Sequence, residues 1–427
     1  MNEELASLLQ LTARRGIKEA EVYQVTSQSQ PVFFEGNRLK QLETSQSMGT
    51  ALRIWHNNRP GLAVAYGKIE PELLIDKAIA LSELNQPETV SLTAPRQANY
   101  DLSGVSATTQ ELITLGEDAI SQLREAYPEV ICSAELEFEQ ETTTLINSQG
   151  LNCFCRESGL SCSLGAELVR GEDFLGIFDG IYTKEPLDLA PIIESIKQRL
   201  AWAQYNVATS QGAVPVLLTA NAATLLWDTL AGALNGQAVE ENSSPWSKQL
   251  HQLVSSECLS LSQQADFQPY DCPFDDEGVP TQNFNLITKG ILNQFYCDRT
   301  TACKLNLEPS GNGFRPSLES YPSPSLVNLI VAPGDSSFDQ LLQQLDNGII
   351  VDQILGGGAD LSGDFSVNLD LGYRVMGGKI QGRVKDTAIA GNVYNIVKQI
   401  VALGNDSLWN GSCRTPSVIV EGISVVG

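Results

Sequence analysis

Histidine is the scarcest functional residue in this sequence. Among 427 residues there are only two, His56 and His251. They are too far apart in sequence to share a motif, which excludes most histidine-based metal and acid–base sites unless one histidine acts alone. The local sequence predicts that His56 is a turn residue at a strand end. It predicts that His251 is an exposed helix residue within the amphipathic stretch 247–254.

Basic residues and long apolar runs are also scarce. The chain has 27 Lys and Arg against 51 Asp and Glu, a net charge of −24. Nucleic-acid binders gain affinity by placing Lys and Arg on phosphates, so we expect no nucleic-acid partner, and an anionic membrane surface is equally disfavoured. No apolar run approaches the length of a membrane span, and no basic region followed by an apolar run opens the chain. We therefore expect a cytoplasmic protein.

Paired cysteine motifs are missing as well. The chain has nine cysteines, an odd number, and none of them has CxxC spacing. This pattern is typical of reduced thiols in a reducing compartment. Cys153, Cys155 and Cys162 are close in sequence, but their spacing matches no common zinc site, so we expect buried structural thiols.

What remains is typical of a globular protein, with 42% hydrophobic and 18% charged residues. The alternation of helical and strand patterns predicts an α+β fold in two domains. Residues 1–211 form a mixed α/β N-terminal domain, which packs on a strand-rich C-terminal domain of residues 212–427. Residues 86–107 are predicted to be a surface connection, residues 393–403 a helix, and Lys289-Gly290 the turn of a hairpin.

Two local motifs invite a chemical interpretation, and neither supports one strongly. Gly356-Gly357-Gly358 lacks the GxGxxG spacing and no helical pattern follows it, so it is predicted to be a turn. Asp275, Asp276 and Glu277 are consecutive carboxylates, whereas a cation-binding loop places its ligands at alternate positions. That segment is predicted to be a solvated loop, and the residues taken alone show no catalytic signature.

Several segments together resemble the TldD/PmbA family, which is related to metallopeptidases and to modulators of DNA gyrase. Their order and spacing extend over nearly the whole chain, although each segment alone is weakly specific. The segments are Glu21-Val-Tyr, Phe34-Glu-Gly-Asn-Arg-Leu-Lys40, Gly49-Thr-Ala-Leu-Arg-Ile54, Gly61-Leu-Ala-Val-Ala65, Asn147-Ser-Gln-Gly150, Pro273-Phe-Asp-Asp-Glu-Gly-Val279, Lys289-Gly-Ile-Leu292, Gly363-Asp-Phe365, Ala390-Gly-Asn392, Gly404-Asn-Asp406 and Cys413.

The resemblance implies a cytoplasmic dimer that encloses a cavity and takes part in proteolysis of unfolded or peptide substrates. The metal-bearing type in this family, like TldD, carries HExxxH on the first helix of the second domain and a cysteine ligand near the C-terminus. A zinc-type ion needs three protein ligands and an open position for water, and a neighbouring glutamate takes the proton from that water.

In this sequence the positions equivalent to the metal motif are Trp227, Asp228 and Gly232, and Cys413 stands at the cysteine position. Both imidazoles are absent, and a single thiolate cannot hold zinc with catalytic geometry. The chain therefore resembles the PmbA (TldE-like) type, and we expect no catalytic residue, no metal and no cofactor. We expect Trp227 to pack in the core rather than to line a groove.

Three functional hypotheses follow. In the first, the chain is the non-metal-binding subunit of a peptidase, paired with a TldD-like paralogue in a heterodimer or with itself in a homodimer. In the second, it is a regulatory binding protein of the gyrase-modulator type without hydrolytic activity. In the third, it is a hydrolase that uses Cys413 as nucleophile, which would need an activating base such as His56 or His251.

Overall fold

The computed structural model describes residues 3–89, 92–209 and 211–427. Long strands dominate the N-terminal half and short strands the C-terminal half. The elements of the N-terminal half are α1 (Glu3–Arg14), β1 (Glu19–Glu35), β2 (Arg38–Leu42), β3 (Ser45–His56), β4 (Arg59–Tyr66), α2 (Pro71–Ser82), β5 (Gln97–Ser103), α3 (Thr109–Ala126), β6 (Ile131–Asn147), β7 (Asn152–Arg170), β8 (Asp173–Thr183) and α4 (Ala190–Trp202).

The C-terminal half begins with β9 and continues to the end of the chain. Its elements are β9 (Asn206–Val207), β10 (Gly212–Ala213), β11 (Val216–Leu218), α5 (Ala220–Leu234), α6 (Gly236–Glu240), β12 (Leu261–Gln263), β13 (Phe284–Thr288), β14 (Ile291–Leu292), α7 (Arg299–Leu305), β15 (Gly313–Phe314), β16 (Ser323–Pro324), β17 (Leu329–Val331), α8 (Phe338–Leu345), β18 (Gly348–Leu355), β19 (Asp364–Met376), β20 (Lys379–Val384), β21 (Ala388–Asn392), α9 (Val393–Ile396), a 3-10 turn (Val397–Gln399), β22 (Ile400–Leu403), β23 (Leu408–Asn410), β24 (Cys413–Thr415), β25 (Val418–Val420) and β26 (Ser424–Val426).

The N-terminal sheet has the strand order β4-β3-β1-β6-β7-β5, with β2 on β1 and β8 on β7. Because side chains alternate between the faces of a strand, the long strands β1, β6 and β7 present two different surfaces. Leucines and isoleucines of α1 and α2 cover one end of one surface. Residues of α3 and α4 cover its other end.

The C-terminal half contains a ten-stranded and a six-stranded sheet, and α5 lies in a core to which both contribute. Leu226 and Leu230 of α5 share that core with Leu218 of β11, which belongs to the ten-stranded sheet. They also share it with Leu261 of β12, which belongs to the six-stranded sheet. The helix is therefore held on several sides by apolar packing.

The two halves are joined by a buried polar network as well as by shared apolar packing. Arg199 of α4 pairs with Asp179 of β8 at 2.7 Å and with Asp352 of β18 at 3.1 Å. The hydroxyl of Tyr373 on β19 donates to the carbonyl of Arg199 at 3.2 Å. The α+β class and the mixed N-terminal half packed on a strand-rich C-terminal half are thus confirmed. The division at 211/212 stays a prediction; β9, just before it, already pairs with β20 of the C-terminal sheet.

Several local predictions are confirmed and others are wrong. Lys289 and Gly290 have positive φ angles of 46° and 78° between β13 and β14, as expected for the hairpin turn. The predicted surface connection 86–107 instead contains β5, which pairs in parallel with β7. Val90 and Ser91 of that connection lie outside the described residues. The predicted helix 393–403 ends at Ile396, because the β-branched and apolar run of β22 pairs with β25.

None of the helices in the described parts of the chain is both long enough and apolar enough to cross a membrane.

Candidate functional site

The helix α5 carries Trp227, Asp228 and Gly232, the positions that the resemblance equates with the metal motif. Ten of its side chains are buried, and Asp228 is exposed. Thr224, Asp228 and Gly232 are spaced by four residues and therefore lie on one side of the helix. Its run of alanine and leucine favours helix formation. One side of α5 is thus left more open while the rest is packed.

Trp227 is fully buried, with 0% of its surface exposed. Its indole Nε1 donates a hydrogen bond of 2.7 Å to Oγ1 of Thr415 on β24. This bond gives the buried indole N–H the partner that such a group requires. The side chain of Trp227 therefore packs in the core, as expected, and links α5 to the strand that carries Cys413.

Asp228 and Cys413 lie within electrostatic reach of each other. Asp228 is exposed, but the surrounding protein still desolvates its carboxylate and raises its pKa. Burial raises the pKa of the Cys413 thiol to about 12, and the negative charge of Asp228 contributes to the same shift. At neutral pH the thiol is therefore protonated, which is the form that is a poor nucleophile.

Gly232 lies under the loop that connects β18 to β19. A Cβ atom at Gly232 would stand 3.2 Å from Cδ2 of Leu361. Thr229, on the same helix, donates from Oγ1 to the carbonyl of Ala359 at 3.3 Å. The segment Gly356-Gly357-Gly358 begins this loop, and the positive φ of 91° at Gly356 is consistent with the turn predicted there.

The residues at these positions do not fit a zinc-type ion. Only Asp228 and Cys413 offer suitable side-chain donors, whereas zinc needs three protein ligands. Within residues 3–89, 92–209 and 211–427, no group of three or more His, Cys, Asp and Glu side chains could hold a metal ion. No chemical step can be assigned to a metal at this place.

The two histidines lie on other elements. His56 ends β3 beside the positive-φ turn residues Asn57 and Asn58, as predicted. His251 is exposed, but the prediction that it is a helix residue is wrong, because its φ of 64° places it in the left-handed region and it belongs to a turn. Its backbone N–H donates to the carbonyl of Leu292 at 2.7 Å, which holds that turn against β14.

A row of aromatic rings connects the N-terminal sheet with the hairpin formed by β23 and β24, which carries Cys413 and which we call the Cys413 hairpin. Tyr182 of β8 packs on Tyr270, with ring centroids 5.4 Å apart. Tyr270 packs on Trp409 of β23 at 4.9 Å, and Trp409 packs on Phe267 at 5.7 Å. The guanidinium of Arg414 on β24 lies over Phe267. We call these four rings the aromatic row.

Glutamates of β6 and β7 lie near Tyr182, at one end of the aromatic row. Glu141 of β6 stands directly opposite Glu157 of β7. Burial first and the charge of Glu157 second raise the pKa of Glu141 to about 7. Burial also raises the pKa of Glu157, although the neighbouring Lys184 opposes that shift. Like charges facing each other across two strands cost stability, so this surface holds unfavourable charge.

The acidic segment 275–277 corrects a prediction, because it is not a solvated loop. Asp275 and Glu277 have 1% and 3% of their surface exposed. Asp275 accepts hydrogen bonds from the backbone N–H groups of Glu277, Val279 and Gly313. Burial raises the pKa of Asp276 to about 6, although a hydrogen bond from a backbone N–H opposes the shift. The segment is a structural part of the boundary between the two halves.

Arginines from elsewhere in the chain compensate these buried acids. Arg315 pairs with Glu21 of β1 at 2.9 Å, and Arg53 of β3 pairs with Glu21 at 3.2 Å. Arg53 also reaches Glu277 at 4.0 Å. Buried carboxylates are tolerated because they are paired and hydrogen-bonded.

The sequence alone does not identify several residues that shape this region. Thr415, Leu361 and the aromatic row contact the metal-motif positions or the strand next to them, but each lies far from α5 in sequence. Aromatic residues at 267, 270 and 409 form no periodic pattern. The one usable signal is Cys413, which marks the strand that approaches α5.

Comparisons with known proteins agree over most of the chain. The profile of the PmbA/TldA metallopeptidase C-terminal domain matches residues 211–427, and that of the PmbA/TldA metallopeptidase domain 1 matches residues 20–82. The chain is 30% identical over 199 residues to "Metalloprotease TldD homolog" of Buchnera aphidicola, covering 46% of this chain and 41% of that protein. It is 28% identical to "Metalloprotease PmbA" of Escherichia coli O157:H7, covering 50% and 46%. The match therefore spans less than half the length of these relatives.

Longer matches come at lower identity. "Metalloprotease MJ0996" of Methanocaldococcus jannaschii is 24% identical, covering 89% of this chain and 88% of that protein. The structure of TldE from Thermococcus kodakarensis superimposes with a TM-score of 0.90 at 23% identity, covering 99% of this chain and 100% of that one. A candidate modulator of a DNA gyrase, TM0727 from Thermotoga maritima, gives a TM-score of 0.87 at 22% identity, covering 99% of each chain. These structural likenesses establish the fold.

Proposed function

The chain belongs to the PmbA/TldD metallopeptidase family, and we propose that it is the non-metal-binding subunit of a two-subunit peptidase. In this proposal it completes the chamber that degrades or processes unfolded peptides, and a metal-bearing paralogue performs the hydrolysis. The observation that carries the proposal is the replacement of both imidazoles by Trp227 and Gly232.

The contacts of these two residues support the proposal. The indole of Trp227 is engaged with Thr415 in the core. Gly232 lies beside Leu361 of the β18–β19 loop, and a side chain at this position would require the Leu361 side chain to shift. The positions are thus built into the packing around α5, and they hold no donor set for zinc.

The aromatic row suggests how such a subunit could contribute to peptide handling. It is half-buried and extends from Tyr182 of the N-terminal sheet to Phe267 and Trp409 beside the Cys413 hairpin. Aromatic surfaces bind apolar side chains through their large contact area. We propose that this row forms part of the chamber wall. The cytoplasmic location expected from the unpaired cysteines belongs to the same proposal.

The alternative hydrolase that uses Cys413 has less support. Burial raises the pKa of the Cys413 thiol to about 12, and the negative charge of Asp228 adds to this shift because it disfavours a nearby thiolate. An activated cysteine needs the opposite environment.

The partner can be tested by recovering the tagged chain from an extract of its own cells and identifying bound proteins by mass spectrometry. The proposal predicts a one-to-one companion that carries HExxxH, and a mixture of the two that cleaves an unfolded peptide when neither does so alone. Recovery of the chain only with itself would contradict the proposal. So would a mixture of the chain and its companion that does not cleave the peptide.

Restoring the motif is a further test. The triple variant Trp227→His, Asp228→Glu, Gly232→His should bind zinc weakly or not at all, because Thr415 and Leu361 contact these positions and no residues are arranged to orient new ligands. Tight zinc binding with peptidase activity, measured by calorimetry and peptide cleavage, would show this reasoning to be wrong.

A further inference from the structure

The N-terminal sheet has a second surface, opposite to the one that contacts Phe274. Tyr23 and Cys153 belong to the cluster that packs against Phe274 of the C-terminal half. Their sequence neighbours Gln24 and Phe154 point to the opposite face, because side chains alternate along a strand. This second surface is therefore separate from the aromatic row.

The middle of the second surface contains a groove. The helices α1 and α2 pack at one end of the sheet face and α3 and α4 at the other. Two adjoining cavities, of about 660 Å³ and 310 Å³, share Gln97 and Asn152. We call these two cavities together the sheet groove.

Of the nine described residues that line the larger cavity, seven carry an amide or a hydroxyl. Gln24 on β1, Thr144 on β6, Phe154 on β7 and Asn99 on β5 form one row across four neighbouring strands. Among the described residues, the lining of this cavity includes no charged side chain, in a chain with a net charge of −24. Arg156 lies over the ring of Phe154. Hydrogen bonds from Ser103 and, to a smaller extent, the charge of Arg156 lower the pKa of the nearby Asp101 carboxyl.

The composition of the groove defines the chemistry of its ligand. A charged ligand would lose hydration there, and the charges beside the cavity, those of Arg156 and Asp101, already stand opposite each other on β7 and β5. Primary amides carry the same N–H donors and carbonyl acceptors as a peptide bond, so they pair readily with an extended backbone. The smaller cavity adds apolar contacts from Ala6 and Leu9 of α1, which suit an uncharged side chain.

We propose that the sheet groove is a second peptide-binding site, which holds an extended, uncharged segment of a polypeptide. The choice of a peptide rests on the proposed function, and the groove adds a place to hold a long unfolded chain away from the chamber. Thr142, Thr144 and Asn99 contact the backbone, and Phe154 adds apolar contact area beside Arg156.

The test is calorimetric titration of the purified chain with a blocked peptide of repeated Gly-Ser-Gln. We expect binding that the double variant Thr142→Val, Thr144→Val weakens about thirtyfold, the loss expected for two hydrogen bonds of about 1 kcal/mol each. Thr143→Val is the matched control, because Thr143 lies on the same strand but faces the other surface. Thermal unfolding of each variant establishes that it is folded, and Asn152→Asp provides a second disruption of the groove.

No binding of the peptide, equal effects of the groove and control variants, or binding of maltoheptaose in place of the peptide would overturn the proposal. The experiment uses the chain alone and measures binding rather than cleavage. A failure of the groove is therefore distinguishable from a failure of the partnered peptidase, which is measured by hydrolysis in the mixture.

Discussion

The hydrogen bond between Trp227 and Thr415 should make a measurable contribution to folding stability. Replacing Trp227 by Phe removes the buried N–H donor of the 2.7 Å bond and part of a fully buried ring. A lost hydrogen bond costs about 1 kcal/mol and a cavity of this kind adds about 1–3 kcal/mol, so we expect a total of about 2–4 kcal/mol. Thr415 would keep one partner, because its hydroxyl also donates to the carbonyl of Pro416 at 3.0 Å.

The assay is urea unfolding of Trp227→Phe, Thr415→Val and the double variant. We expect a coupling energy of about 1 kcal/mol between the two positions. Trp246→Phe combined with Thr415→Val is the control, because Trp246 is also buried but packs edge-on against Tyr394. Additive effects of Trp227→Phe and Thr415→Val, or an equal coupling in the control pair, would refute the reasoning.

Three further predictions concern charged and ionisable groups. Cys413 should resist alkylation at pH 8 in the folded protein, whereas the exposed Cys258 should react, as mass spectrometry of the labelled peptides will show; equal labelling would contradict the burial of Cys413. Glu21→Gln should lower the free energy of unfolding in urea by about 3–5 kcal/mol, because two buried arginines lose their shared carboxylate. Glu19→Gln on the same strand should change stability little, and similar losses in both variants would count against this role of Glu21. The pKa of Glu141 is raised to about 7, above its value in the unfolded chain. Its contribution to stability is therefore present at pH values below the pKa of the unfolded chain and is lost as the pH rises through 7. Glu141→Gln should raise the unfolding temperature at pH 8 and not at pH 4, and the reverse pattern would be evidence against this reasoning.

A feature can be predicted from the sequence when neighbouring residues determine it, and it cannot when residues remote in sequence determine it. The turn at Lys289-Gly290 can be predicted because a hairpin turn is determined by its own residues. The burial of Asp275 and Glu277 cannot, because the acidic cluster is compensated by Arg53 and Arg315, which are remote in sequence. Their carboxylates resemble those of a solvated loop until the arginines are placed near them.

The candidate site shows the same division. The absence of imidazoles at Trp227 and Gly232 is visible in the sequence once the resemblance supplies the positions. The reasons those residues suit their places are not visible, because Thr415 and Leu361 reach α5 only through the packing of distant strands and loops. Likewise, β5 cannot be predicted locally, because this short polar strand forms where β7 offers it an edge.

The most direct test of the central claim is elemental analysis of the chain purified alone, after dialysis against buffer containing equimolar zinc. We expect far less than one metal ion per chain, because Trp227, Asp228, Gly232 and Cys413 do not form a donor set among the residues that the structure describes. One tightly bound transition-metal ion per chain would contradict the claim.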